Sequence, residues 1–155
     1  MVFIGIDPGK KGGIAVIYED ICNVYPYSDK NLIQVCWIYR RNCFATVENV
    51  HAMPGQGVTS TFSFGKSFGY ILGVLEAYGI PHTEVDPRAW KKEFGVTADK
   101  KTSIWKCEEL YPGLNLYPTK RSRTKSDGMA ESVLISLYGM KHYERRADDT
   151  GTDNP

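Results

Sequence analysis

The chain opens with the stretch Val2-Phe3-Ile4-Gly5-Ile6-Asp7-Pro8-Gly9, and this stretch decides the fold. Its apolar and β-branched residues predict a buried strand that ends in a carboxylate and a turn. A second apolar run, Cys43-Phe44-Ala45-Thr46-Val47, also ends in an acid, Glu48. If the two strands lie side by side, their carboxylates meet at one edge of a sheet.

A second pair of acids opens a helical pattern near the C-terminus. Asp127 and Glu131 stand four residues apart, and the apolar stripe of this helix follows at Met129, Val133, Leu137 and Met140. Residues spaced by four share a helix face, so both acids can reach the same sheet edge. Clustered carboxylates repel one another unless divalent cations lie between them. The pattern is typical of a metal-dependent nuclease.

The remaining elements alternate. Strands are predicted at 14–19, about 21–26 and 81–85, and helices after Ser28, from about Ser60 to Tyr78, from Pro87 and from Asp99 to Tyr111. The order β-β-β-α-β-α-β-α predicts an α/β fold with a mixed five-stranded sheet, its first three strands antiparallel, flanked by helices. We expect one domain over residues 1–146 and a disordered tail over 147–155.

The composition excludes some classes of protein. Of the 155 residues, 42% are hydrophobic and 24% are charged, as in ordinary globular domains, and no apolar run is long enough for a membrane span. The four cysteines lack metal-ligand or disulfide-framework spacing and are interpreted as buried thiols, which predicts a reducing, cytoplasmic location.

Positive charge is concentrated in two segments although the net charge is only +1. The segment 88–101 contains Arg88, Lys91, Lys92, Lys100 and Lys101, and the segment 120–125 contains Lys120, Arg121, Arg123 and Lys125. A basic run is usually a solvated surface. Because the second run directly precedes Asp127, both segments are also candidates for contacting a polyanion.

Three glycines recur at every fourth position of the helix predicted near 61–78, at Gly65, Gly69 and Gly73. Glycine destabilises a helix by about 1 kcal/mol relative to alanine, so this stripe predicts the close approach of another backbone. That backbone belongs either to the protein's own sheet or to a second subunit.

Three motifs together resemble the RuvC family of Holliday junction resolvases, which belongs to the ribonuclease H-like superfamily. They are Gly5-Ile6-Asp7-Pro8-Gly9, Val47-Glu48-Asn49-Val50 and Ser126-Asp127-Gly128-Met129-Ala130-Glu131-Ser132. The resemblance covers roughly residues 1–142 and is greatest for short members carried by phages, such as a lactococcal phage. The last motif is also similar to poxvirus resolvases. This implies a ribonuclease H-like fold and an endonuclease that cleaves branched DNA such as Holliday junctions.

The resemblance also implies a site. Asp7, Glu48, Asp127 and Glu131 correspond to the metal-binding acids, which hold two Mg²⁺ ions for phosphodiester hydrolysis, with Mn²⁺ as a substitute. Lys101 matches a family lysine near the scissile phosphate, and Lys100 is the alternative. His51 stands where relatives carry an aromatic residue, so it either contacts DNA or is an ordinary loop residue.

The match departs from the family at one position. Bacterial members usually space the two helix acids three apart, which would require an acid at Gly128. Asp127 is therefore either the metal-binding acid of this helix or the residue that caps it.

A four-way junction has approximate two-fold symmetry, which implies a homodimer, with the helix at 61–78 as the candidate interface. Two alternatives to a junction resolvase stay open. One is a ribonuclease H-like nuclease acting on flaps, forks or RNA–DNA hybrids. The other is a non-catalytic junction-binding protein.

Overall fold

The computed structural model describes residues 1–49 and 57–150, with side chains described up to Arg145. The strands are β1 (Val2–Asp7), β2 (Gly13–Tyr18), β3 (Ile21–Pro26), β4 (Cys43–Glu48) and β5 (His82–Val85). The helices are α1 (Asp29–Tyr39), α2 (Val58–Ala77), α3 (Pro87–Phe94), α4 (Lys100–Leu110) and α5 (Asp127–Thr150). The element order is the one predicted from the sequence.

The strands form a mixed five-stranded sheet in the order β3-β2-β1-β4-β5. β1 pairs antiparallel with β2, and β2 pairs antiparallel with β3. β1 pairs parallel with β4, and β4 pairs parallel with β5. The predicted fold class is confirmed. β1 and β4 lie side by side, which is the condition for the carboxylates at their ends to meet.

Alternation along β1 divides the core between the two faces of the sheet. Ile4 and Ile6 are fully buried with residues of α1 and α2 on one face. The carbonyl of Phe3 on the other face accepts a 3.0 Å hydrogen bond from Ser136 of α5. Because side chains in a strand alternate, Asp7 points to the same side as Phe3 and therefore toward α5.

Glycines allow α5 to lie directly against the sheet. A Cβ at Gly5 would collide with the carbonyl oxygen of Ser132, and a Cβ at Gly139 would collide with Thr46 Oγ1. A Cβ at Gly13 would lie 2.6 Å from the Cα of Met129. Close backbone approach of this kind requires glycine, and it brings the beginning of α5 to the ends of β1 and β4.

The glycine stripe of α2 has a different environment. A Cβ at Gly65, Gly69 or Gly73 would meet no heavy atom within 4 Å. Within the described residues, the first alternative, in which this stripe packs against the protein's own sheet, is therefore wrong. The second alternative, a contact between subunits, is the one that the open stripe still permits.

The four cysteines are free thiols. Cys36, Cys43 and Cys107 are buried, and Cys22 is half-buried. Burial raises the pKa of Cys22, Cys36 and Cys107 to about 12 and that of Cys43 to about 11. The prediction of buried thiols agrees with Cys36, Cys43 and Cys107, whereas Cys22 is only partly covered.

The C-terminal helix is longer than the sequence suggests. It continues to Thr150, past residue 147, where we expected the tail to begin, and residues 151–155 lie outside the described residues. No helix in the described ranges combines the length and the hydropathy that crossing a membrane requires.

Candidate functional site

The two strand-end acids are adjacent at one edge of the sheet. The parallel register pairs Ile6 with Val47, so Asp7 and Glu48 each come one residue later on neighbouring strands. Both carboxylates are buried, with exposed fractions of 9% for Asp7 and 8% for Glu48. Two acids buried side by side are costly for folding, which indicates a functional site.

The beginning of α5 contributes the other two acids to the same edge. Asp127 and Glu131 each add their charge to the surroundings of Asp7. The hydroxyl oxygen of Ser126 accepts the Met129 N–H at 3.2 Å, so Ser126 performs the capping role considered above for Asp127. The carboxylate of Asp127 contacts a lysine instead. The structure thus brings all four predicted acids together.

The position of Gly128 explains why the helix acids stand four residues apart. A Cβ at Gly128 would collide with the carbonyl oxygen of Lys11 and would lie 2.8 Å from Asp7 Oδ2. Gly12 and Gly128 also form an isolated β-bridge. The turn between β1 and β2 therefore leaves no room for the side chain of an acid at position 128, and Asp127 is the acid nearest that position.

Burial and mutual repulsion dominate the electrostatics of the cluster. Burial, then the charges of Glu48, Glu131 and Asp127, raises the pKa of Asp7 well above its usual range. Burial also raises the pKa of Glu48, although a hydrogen bond from Trp90 opposes the shift. These carboxylates are stabilised in their charged form by a cation placed among them.

Two lysines contact the acids of α5. Lys100 Nζ lies 2.6 Å from Asp127 Oδ2, and Lys91 Nζ lies 3.6 Å from Glu131 Oε1. Lys101 is exposed, and its backbone N–H donates to the capping carboxylate of Asp99. Lys100 is therefore the member of this lysine pair that reaches the acid cluster, as the sequence-based alternative proposed.

Two further residues of the site were not identified from the sequence. Trp90 Nε1 donates a 3.0 Å hydrogen bond to Glu48 Oε1, and Ser103 Oγ donates a 3.2 Å hydrogen bond to Glu131 Oε1. Both side chains are fully buried. Nothing in the local sequence links Trp90 to an acid 42 positions away, so only the fold reveals these supports.

Most of the predicted DNA-binding residues are exposed. The exposed members are Arg88, Lys92, Lys100, Lys101, Lys120, Arg121 and Arg123. Lys91 and Lys125 are half-buried, and Lys125 forms an ion pair with Glu108. His51 lies outside the described residues.

The described residues include no group of three or more His, Cys, Asp or Glu side chains that could hold a metal ion as they are placed. The chemistry of the acid cluster nevertheless fits a hard divalent cation. Asp7, Glu48, Asp127 and Glu131 offer only oxygen donors, which Mg²⁺ and Mn²⁺ prefer. The buried Asp7 and Glu48 have raised pKa values. Asp127 and Glu131 form ion pairs with lysine ammonium groups.

The architecture is that of a ribonuclease H-like fold, and comparison with solved structures specifies it further. The chain is similar to RuvC of Thermus thermophilus, with a TM-score of 0.63 and 18% identity over 94% of this chain and 96% of that one. It is also similar to the same protein in complex with Holliday junction substrate, with a TM-score of 0.64 and 16% identity over the same shares. The fold is therefore that of the RuvC-type structures.

Two other resolvases share the fold. Fowlpox virus resolvase, solved with substrate Holliday junction DNA, matches with a TM-score of 0.52 and 18% identity over 90% of this chain and 98% of that one. The yeast mitochondrial resolvase Ydc2 matches with a TM-score of 0.51 and 16% identity over 95% and 83%. No family model matches the chain, and no curated protein matches it significantly.

Proposed function

We propose that this protein is an endonuclease that cleaves branched DNA such as Holliday junctions. The observation that carries the proposal is the convergence of four carboxylates, Asp7, Glu48, Asp127 and Glu131, at one edge of a RuvC-type sheet. Two of the similar structures contain Holliday junction DNA, which supports the choice of substrate.

The four carboxylates would hold two divalent cations. Bound Mg²⁺ or Mn²⁺ would supply an activated water for attack on the phosphodiester and would stabilise the leaving oxygen. The part of the chain is to keep its ligands rigid, because small displacements of reacting groups cost much of the rate. Trp90 fixes Glu48, and Ser103 fixes Glu131, through the hydrogen bonds described above.

Lys100 and Lys91 have two roles in this proposal, one without and one with a bound cation. Without a divalent cation, their ammonium groups partly neutralise Asp127 and Glu131. A divalent cation held by the acids would supply that neutralisation, and both ammonium groups would then be free to contact the phosphate oxygens. Negative charge accumulates on those oxygens during cleavage, and a nearby ammonium group stabilises it. We therefore assign the role expected for Lys101 to Lys100.

Exposed basic side chains would hold the arms of the junction through phosphate contacts. They come from the segments 88–101 and 120–125, including Arg88, Lys92, Arg121 and Arg123. Contacts of this kind recognise shape and charge, and binding through them weakens strongly with added salt.

Cleavage of two opposed strands requires two sites, and we propose a homodimer that pairs through α2. The open glycine stripe lets two helix backbones approach each other closely. Phe62 is 71% exposed and Val58 is 86% exposed on the same helix, so apolar area is available for the contact. The phage type and the cytoplasmic location stay predictions from the sequence.

A cleavage assay tests the proposed function. Labelled four-way, flap, fork, linear and RNA–DNA hybrid substrates are incubated with the protein, with and without Mg²⁺ or Mn²⁺, beside the Asp7→Asn variant. We expect metal-dependent cutting of the four-way junction and no cutting by the variant, which should still bind. Preference for flaps, forks or hybrids would favour the other nuclease. Junction binding with no cutting under any metal would favour a non-catalytic binding protein.

A further inference from the structure

A groove beside the acid cluster carries basic residues that the proposed cleavage site does not use. It has a volume of about 310 Å³. Its lining comes from the β1–β2 turn, the end of β3, the loop before α5 and the first residue of α5. Its polar members are Lys10, Lys11, Ser122, Thr124, Lys125, Ser126 and Asp127.

The turn that carries Lys10 and Lys11 is held firmly against α5. Gly12 forms a bridge with Gly128, and the Ser126 hydroxyl lies 3.5 Å from the carbonyl oxygen of Lys11. The Gly12 N–H also donates a 3.0 Å hydrogen bond to Gly9 within the turn. The two lysines, which follow Asp7 by three and four positions, are therefore presented at a defined place next to the site.

The charges of the groove are unevenly balanced. Asp127 pairs with Lys100, and Lys125 pairs with Glu108. Lys10 and Lys11 form no ion pair within the described part of the chain, and both are exposed. Two unneutralised ammonium groups and the hydroxyls of Ser122 and Thr124 thus line a groove that leads to the carboxylates. This set of donors matches a phosphodiester, which offers only acceptor oxygens.

We infer that this groove binds a backbone phosphate of the strand that is cut, next to the scissile phosphate, with Lys10 and Lys11 as its principal ligands. The inference rests on the proposed function, because the groove opens onto the acid cluster at Asp127. A strand that places one phosphate on that cluster continues into the groove on this side. Lys10 and Lys11 then help to position the strand and take no part in the chemical step.

The test compares two double variants of the full chain. Lys10→Ala with Lys11→Ala removes both ligands. Arg40→Ala with Arg41→Ala is the matched control, because it removes two adjacent cations from the turn before β4. That turn lies at the opposite edge of the sheet, since β1 pairs in parallel register with β4 and Val2 lies opposite Cys43. Melting temperatures check that both variants fold.

Junction binding is measured without divalent metal over a range of salt concentrations, and steady-state cleavage is measured with Mg²⁺. Each lost phosphate contact should reduce the salt slope by about 0.9. We expect a slope reduced by about 1 to 2 and a KM raised about tenfold, with kcat nearly unchanged, for the Lys10 and Lys11 variant only. A single methylphosphonate next to the cut site should weaken junction binding by the wild type more than junction binding by this variant.

The outcomes separate the two proposals. If the wild type cuts and the two double variants behave alike, the groove assignment is wrong while the proposed function stands. The groove assignment is also wrong if the methylphosphonate weakens junction binding by the wild type and by the lysine variant equally. If the wild type cuts no substrate, the proposed function fails and this inference fails with it.

Discussion

Trp90 in α3 donates its indole N–H to Glu48 Oε1 at the end of β4, over a distance of 3.0 Å. The tryptophan is fully buried and the glutamate is 8% exposed. A buried carboxylate needs donors to remain ionised, and this bond lowers the pKa of Glu48 against the larger effect of burial. The core of the protein thus contains a side chain that favours the charged form of a candidate metal ligand and offsets part of the effect of burial.

The Trp90→Phe variant removes this donor and keeps most of the ring volume. We expect unfolding to require about 1–3 kcal/mol less free energy, because a buried charged acceptor loses its partner. Cleavage should fall about tenfold, and its lower pH limit should rise as Glu48 becomes harder to ionise. Trp105→Phe is the control, since Trp105 is 61% exposed on α4. Equal effects of the two variants on activity would exclude a supporting role for Trp90.

Asp7→Asn should abolish cleavage, with a loss of at least about 100-fold, and should stabilise the metal-free fold at neutral pH. The pKa of Asp7 is raised in the folded state, so folded Asp7 holds its proton more tightly than unfolded Asp7 does. Stability from this group is present below the unfolded pKa of about 4 and is lost as pH rises.

Thermal unfolding in the presence of a chelator measures this effect. The melting temperature of Asp7→Asn should exceed that of the wild type at pH 7.5, and the difference should shrink as pH falls toward 4. Added Mg²⁺ should raise the melting temperature of the wild type more than that of the variant. A variant that is less stable at pH 7.5, or a difference independent of pH, would contradict the repulsion inferred for this cluster.

Lys100→Ala and Lys101→Ala form a pair of adjacent substitutions with different expected results. Lys100 contacts Asp127 at 2.6 Å, whereas Lys101 forms no ion pair within the described residues. Loss of Lys100 should reduce kcat about 100-fold, the usual effect of removing one group that stabilises developing charge. Loss of Lys101 should change kcat less than about threefold and act on junction affinity. Single-turnover cleavage separates the two, and the reverse pattern would restore the original assignment of Lys101.

Gly128→Ala should destabilise the fold by about 1–3 kcal/mol, the usual range for overpacking. The added methyl group would collide with the backbone of the β1–β2 turn, at Lys11 and Gly12. Gly65→Ala, in open space on α2, should be neutral or stabilising by up to about 1 kcal/mol. Denaturant unfolding at a concentration where the protein is monomeric measures both. A well-tolerated Gly128→Ala would mean that the turn moves freely away from the helix.

Gly69→Leu tests the proposed α2 interface. The side chain has open space within one subunit, so the monomer should fold, but two helix backbones could no longer approach closely. We expect a monomer by sedimentation, which nicks junctions singly instead of cutting both strands together. Glu109→Leu adds a similar side chain at an exposed position on α4 and should leave the oligomeric state unchanged. If Gly69→Leu sediments like the wild type, α2 is not the interface.

Asp7 and Glu48 could be placed from the sequence because both stand at the end of an apolar run and strand pairing aligns such ends. The helix acids followed from spacing, because positions four apart share a face. Their supports could not be found in this way. Trp90 and Ser103 reach the acids only through the packing of α3, α4 and α5, and apolar patterning shows burial without showing the contact.

The glycines show most clearly which contacts cannot be predicted from the sequence. The regular stripe on α2 predicts a close approach but does not identify the second backbone, and within one chain that stripe is open. The close approaches occur instead at Gly5, Gly13, Gly128 and Gly139, which show no regular spacing because the contact crosses from strand to helix. The ion pair between Lys100 and Asp127 likewise depends on the position of α4 beside α5.

The raised pKa values of the four thiols have a practical consequence. At neutral pH almost no thiolate is present on Cys22, Cys36, Cys43 or Cys107, and it is the thiolate that reacts with maleimides and iodoacetamides. A cysteine introduced at an exposed site can therefore carry a fluorophore or a spin label without replacement of the native ones. Distance measurements between labelled copies then become accessible with the natural core intact.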